Sequence, residues 1–289
     1  MVVSESARVT AALDCGETPD FRIRVIEYPK GLWQPIHTHE HASVTLVLRG
    51  AIEEVRNRKA QFALPFSLIV KKPGVPHSDR FGPQGCKTLQ INLLPGFDLS
   101  ECDIDTSRVI WHNDGGASIG PLLRLMKCIH QASELSASDV AFSLYEALEA
   151  LPNKARIVGT APPWLTGVKD LIDGSDPMYP LSMARLQNQA EIHPVHLTRQ
   201  FKRHFGCTLR DYMQYRRVRA AVSFVAESSL TLTEIAHRCA FADQAHFCRA
   251  FRAIAKLTAR DYRRLTMLVG APKVENVQVS TPPNPSSLL

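Results

Sequence analysis

The sequence predicts an α+β chain: an N-terminal β-barrel with two helices, then an all-α half built from two helix-turn-helix units. Three observations carry this. The first third consists of short β-branched runs punctuated by Gly or Pro. From about Ile119 the hydrophobic period turns helical. Near the C-terminus, TARDYRR echoes TLRDYMQYRR of fifty residues earlier, with Thr208, Arg210, Asp211 and Tyr212 answering Thr258, Arg260, Asp261 and Tyr262. A repeat of that length marks a duplicated supersecondary unit.

The strands come first. FRIRVIEY alternates apolar and basic residues from Phe21 to Val25, and SVTLVLRG, SLIVKKPG and KTLQINLLPG follow, each closed by Gly or Pro. Short strands at such spacing suggest a small barrel or sandwich. Two amphipathic segments complete the half. PLLRLMKCIHQASEL sets Leu122, Leu125, Met126 and Ile129 on one stripe, and SDVAFSLYEALEAL forms the second.

PNKARIVGTAPP is polar and punctuated by Pro and Gly, so it reads as a linker. The expected division is residues 1–152 for the first domain, 153–163 for the linker, 164–268 for the helical domain and 269–289 for a disordered tail rich in Pro, Ser and Asn.

In the second copy of the repeat, Thr231-x-x-Glu234 has the form of a capping box. The helix it opens buries Leu232, Ile235 and Ala236, and Asp243 is a natural cap for the next helix. There Phe247, Phe251 and Ile254 face inward, leaving Gln244, Ala245, Cys248, Arg249 and Arg252 outside. In the first copy Ser182 caps one helix and Pro194 opens the next, where no N–H is missed. Leu197 and Phe201 turn inward, with His204 or Phe205 as a third; Val195, His196, Thr198, Arg199 and Lys202 stay outside. Between the copies, Tyr212, Tyr215, Val218, Val222 and Val225 lie at helical spacing and can hold the two units together. Short helix pairs with basic outer faces are the form that reads a DNA major groove.

The stretch from Leu181 to Arg264 resembles the DNA-binding domain of AraC/XylS-type transcription regulators. EIAHRCAFADQAHFCRAFRAIAKLTARDYRR is similar to the family signature, and HPVHLTRQFKRHFGCTLRDY matches the first unit. The family's turn glycine is Ala240 here, and its later Gly and Pro are Lys256 and Ala259. If Ala240 keeps a positive φ, the strain costs about 1 kcal/mol. The resemblance implies double-stranded DNA and RNA polymerase as partners, and it leans toward activation.

The first domain carries His37-x-His39 before one strand and His77 after another. With Gly31 and Gly50 this resembles a cupin, the small barrel that commonly precedes the DNA-binding domain in this family. The cupin carboxylate would fall near Ser43 or Val44, and neither can serve. His37, His39 and His77 are therefore candidates for a small-molecule pocket, and three imidazoles plus water can also hold a divalent ion. No cofactor is assigned, and a divalent metal, though the three imidazoles could hold one, is not expected. The alternative to a regulator is a metal-dependent cupin enzyme fused to a DNA-binding domain. No carboxylate pair stands at motif spacing to supply a general base, so no catalytic residue is assigned.

Composition agrees with a divided chain. Leu181 to Leu268 holds 15 Lys or Arg against 6 Asp or Glu, a balance of +9 within a total of +6, leaving −3 for the remainder. A basic half points to a polyanionic partner for that half alone. The seven cysteines include no C-x-x-C pair, which excludes a zinc ribbon or a disulfide scaffold. No signal peptide or long apolar run is visible, so the expected location is the cytoplasm. The expected function is sequence-specific DNA binding, with a barrel that senses a small molecule or pairs two chains.

Overall fold

The computed structural model describes residues 11–95, 97, 110–112, 118–131, 136–150, 161–179, 181–227 and 229–267. The proposed tail at 269–289 lies outside them, as does most of the linker at 153–163. The strands are β1 (Ala11–Glu17), β2 (Phe21–Tyr28), β3 (Trp33–His37), β4 (Ala42–Arg56), β5 (Lys59–Ala63), β6 (Leu68–Lys71), β7 (His77–Leu93) and β8 (Ile110–His112). They pair antiparallel in the order β1-β2-β7-β4-β6-β8, with β3 added to β7 and β5 to β4.

Among the described residues the ladder ends at β1 and β8 without pairing these to each other, so the expected barrel is an unclosed sheet. Closure is one way to bury an apolar face, and helices covering that face are another. Here helices do it. Phe21, Ile23 and Val25 of β2, Val44, Leu46 and Leu48 of β4, and Leu89 and Ile91 of β7 join one core with the helices. Their alternate neighbours point the other way. Arg24, Ser43, Thr45, Lys71, Thr88 and Gln90 line a cavity on the opposite face together with Ile26, Ile52, Ile69 and Phe81, so the two-residue period of each strand separates the side turned to the helices from a mixed polar and apolar one.

Gly50 lets the long β4 change register. It has φ +74°, and a Cβ there would stand 2.0 Å from the Gly85 carbonyl oxygen, so no side chain fits.

The helices are α1 (Ile119–Gln131), α2 (Ala137–Glu149), α3 (Pro163–Gly174), α4 (Met183–Ala190), α5 (Pro194–Phe205), α6 (Leu209–Glu227), α7 (Leu232–Arg238), α8 (Gln244–Ala255) and α9 (Ala259–Met267). Both helices expected after the strands are present as α1 and α2. Among the described residues, no helix is long and apolar enough to cross a membrane.

The helices divide between two cores. Leu165, Val168 and Ile172 of α3 pack with Leu186, Leu197, Phe201, Leu209 and Tyr212 around α4 and α5. The second repeat has no such separate core. Ile235, Phe247, Phe251 and Tyr262 share the apolar core of the sheet, α1 and α2. Phe66 meets the Phe251 and Tyr262 rings edge-on at 6.2 and 5.6 Å. Lys87 Nζ donates to the Thr266 carbonyl at 2.7 Å, and Arg49 pairs with both Glu27 and Glu227.

Candidate nucleic-acid interface

Each helix of the repeat begins where its side-chain chemistry directs. Ser182 Oγ accepts from Arg185 N at 3.2 Å, and Asp243 Oδ1 accepts from His246 N at 2.6 Å. Thr231 and Glu234 complete the capping box, with Thr231 N donating to Glu234 Oε2 at 2.7 Å. Such caps are each worth about 1 kcal/mol. The repeated Thr-x-x-Asp of the two copies is a cap as well. Asp211 N donates to Thr208 Oγ1, and Asp261 N to Thr258 Oγ1, both at 3.1 Å.

The two turns are not identical. α7 starts 49 residues after α4, but α8 starts 50 after α5, so the second helix-and-turn segment is one residue longer, with five residues (239–243) joining its helices where three (191–193) join those of the first. Glu191 closes α4 at φ +52°, and Ala240 takes φ +57° after α7. The positive φ expected for Ala240 is present. Lys256, at the family's other glycine position, caps α8 at φ +56°.

The inward stripes lie where the sequence places them. Leu197, Phe201, Phe247 and Phe251 are fully buried, and the Phe205 ring packs against that of Phe201 at a tilt, with centroids 4.6 Å apart. Along the outer face of α5, Val195, Arg199 and Lys202 are exposed. His196 is half-buried with its ring 5.9 Å from that of Trp164, so it leans on α3. Thr198 is also half-buried, and its hydroxyl donates to the Pro194 carbonyl at 2.8 Å, leaving only its lone pairs for a partner. On α8, Gln244, Ala245, Arg249 and Arg252 are exposed, whereas Cys248 is half-buried against the core. Gln244 Oε1 accepts from Thr233 Oγ1 at 2.6 Å, which ties its amide to α7. Arg203, exposed beside Lys202, is a further outward cation that the sequence reading passed over.

Residues 186–265 match the family model described as a helix-turn-helix domain. Over 108 residues the chain is 33% identical to the HTH-type transcriptional regulator GlxA of Rhizobium meliloti, covering 37% of this chain and 32% of that protein. Over 68 residues it is 38% identical to the HTH-type transcriptional activator RhaS of Salmonella arizonae, covering 24% of each. The chain thus spans a third or less of the length of the curated relatives it matches. A solved AraC-type DNA-binding domain protein from Chromobacterium violaceum is 24% identical, with a TM-score of 0.34, covering 37% of this chain and 96% of that one.

The histidines of the sheet domain do converge. His37, His39 and His77 have ring centroids 4.3 to 5.1 Å apart. His37 and His77 face each other directly across the β3–β7 pairing. Beside them stands Asp79, two residues beyond His77 and therefore on its face of β7, paired in register with Glu54 of β4. Lys71 Nζ lies 2.5 Å from Glu54 Oε2. Burial, assisted by the Lys71 charge, pushes the His39 pKa down to about 3 and that of His77 to about 4, so both rings are neutral at pH 7. Sequence reasoning found the three imidazoles and missed Asp79, Glu54 and Lys71. The available signal was the two-residue spacing within His77-Ser78-Asp79.

Proposed function

We propose that this chain is a sequence-specific DNA-binding regulator of transcription rather than an enzyme. The observation that carries the reading is the pair of capped helices α5 and α8, each presenting an exposed, partly basic face, mounted on one shared helix α6. A duplex repeats its major groove about every 34 Å, so one chain with two such units can address two successive turns. The +9 balance of this region supports phosphate neutralisation, which supplies most sequence-independent affinity. Val195, Thr198, Arg199, Gln244 and Arg249 are the base-facing set; Lys202 and Arg252 are suited to phosphate.

In this reading residues 164–268 bind DNA, 153–163 connect, and 1–152 sense a small molecule or pair two chains. RNA polymerase and a second copy are the protein partners, with activation as the direction. The experiment is footprinting of the purified chain on DNA upstream of its own gene. Two protected patches about one helical turn apart are expected. Uniform coverage at moderate salt, with no preferred site, would overturn the reading.

A further inference from the structure

We propose that the cleft between the sheet and helix α6 binds a small organic anion with an apolar body. The proposal deepens the sensing role given to residues 1–152 and rests on that reading, but it places the site away from the histidines. Ile52 and Phe81 line the histidine cavity, whereas their chain neighbours Ala51 and Gly82 line the cleft. Successive strand residues point to opposite faces, so the two spaces lie on opposite sides of the sheet.

The cleft exists because one strand makes a detour. In the β4–β7 ladder Gly50 pairs with Cys86 and Ile52 with Phe81, so residues 82–85 of β7 stand opposite Ala51 alone. Extra residues of this kind bend a strand and interrupt its pairing. Here Gly82-Pro83-Gln84-Gly85 forms one wall of the cleft. Gly85 has φ +75°, and a Cβ there would stand 2.5 Å from the Tyr28 carbonyl oxygen, so the detour is built on a backbone that only glycine allows.

The facing wall is α6. Arg216, Arg219, Ala220 and Ser223 follow the i, i+3, i+4, i+7 spacing of one helix face, and all four line the cleft. Ala220 and Ser223 are small and face a bulge rich in glycine, so the space between the walls stays open. Pro177, from the connection between α3 and α4, brings the first helix-turn-helix unit to the same space.

Size and charge define the occupant. The cleft holds about 350 Å³, within the roughly 300–1,000 Å³ of small-molecule sites, against about 90 Å³ for the histidine cavity. Ala51, Leu64, Ala220 and the rings of Pro65, Pro83 and Pro177 suit a hydrocarbon or aromatic body. Among the described residues that line the cleft none is acidic, and two are arginines. Arg216 Nη2 donates to the Asp173 and Ser175 carbonyls at 2.8 and 3.1 Å, which fixes it at the end of α3. The Arg219 guanidinium lies 5.7 Å from the Tyr215 ring centroid, a planar cation whose fork matches a carboxylate. A molecule lodged here touches the sheet, α6 and the connection into the first unit together. Its binding therefore couples the sensing half to the position of that unit.

The test titrates the full chain with anilinonaphthalene sulfonate, an apolar anion that fluoresces when shielded from water, and with the neutral phenylnaphthylamine. One equivalent of the sulfonate per chain is expected. Ala220→Phe, which fills the cleft, should abolish binding of both probes. Arg219→Gln should weaken the sulfonate about tenfold and leave the neutral probe unchanged. His39→Ala, in the other cavity, should alter neither. Sulfonate binding that survives Ala220→Phe would overturn the proposal, as would its loss in folded His39→Ala, an unchanged affinity in Arg219→Gln, or no stoichiometric binding by the wild type. Should Ala220→Phe lack native circular dichroism, Ser223→Leu takes its place and is read the same way. No step uses DNA, so failure of this site and failure of the DNA-binding reading are told apart.

Discussion

The Tyr262 hydroxyl donates to the Leu48 carbonyl, joining the last helix to the fourth strand across 214 positions. Leu48 is available because the β4–β7 register shifts between Val47 and Arg49, so the ladder passes it by. Its repeat partner Tyr212 behaves differently, donating to Asp173 Oδ1 of α3 at 2.5 Å. One duplicated tyrosine thus seals the first unit to its own domain and the second to the sheet.

Tyr262→Phe should therefore cost more than Tyr212→Phe. The first leaves a buried carbonyl without a partner, worth about 1–3 kcal/mol. The second leaves Asp173 still bonded to Lys169 Nζ at 2.7 Å, a loss nearer 1 kcal/mol. Thermal unfolding of the two variants checks this, and an equal or reversed loss would count against the joint.

A fragment of residues 164–268 should bind DNA with steep salt dependence, about 0.9 log units per log unit of salt for each phosphate contacted. It should also be uneven in stability. The first unit keeps its whole core, but the second loses Phe66, Leu48 and Lys87 from around Phe251, Tyr262 and Thr266. Hydrogen exchange should be faster in α9 than in α5 by comparison with the full chain. Equal protection in both units would refute this.

Base reading should be divided unequally. Arg199 is exposed on α5 and can bond guanine O6 and N7 together, so Arg199→Ala should cost about 1–3 kcal/mol and relax one base position. On α8, Gln244 is tied to Thr233 and Cys248 is half-buried, so Arg249→Ala should weaken binding to all sequences more evenly. Selection from random DNA decides it. A more sharply defined half-site under α8 would reverse the assignment.

Ala240→Gly should stabilise the second unit. A left-handed conformation strains a side chain by about 1–2 kcal/mol, and glycine recovers most of it less its larger unfolded entropy, for a net gain below about 1 kcal/mol. Arg217 Nη1 donates to the Ala240 carbonyl at 2.9 Å, so the backbone there is already held and the variant need not loosen it. Urea unfolding with an unchanged m-value is the measurement; a lower midpoint would show that Ala240 is not strained.

The helical half was legible because its signals are local. Thr231 to Glu234, Asp243, and the stripe of Phe247 and Phe251 are each complete within a few residues, and the structure places each as expected. Sequence reading missed β1, β3, β5 and β8. KAQFA of β5 is mostly exposed and β8 has three residues, so neither carries a strong alternation. Asp79 escaped for another reason. Its nearness to His37 comes from pairing between β3 and β7, and Glu54 reaches it from β4. The second unit's place on the sheet was equally hidden, since no local pattern around Tyr262 points to Leu48.

Helix α6 begins in one core and ends in the other. Leu209 and Tyr212 belong with the first unit, while Tyr215 through Val225 belong with the sheet and the second. Its 19 residues make a rod about 28 Å long. A pivot of about 10° where it is clamped would swing its free end by roughly 5 Å, more than the 3.4 Å rise of one base pair. The separation between the two reading heads is therefore a mechanical quantity, set by how firmly the sheet grips one end of a lever.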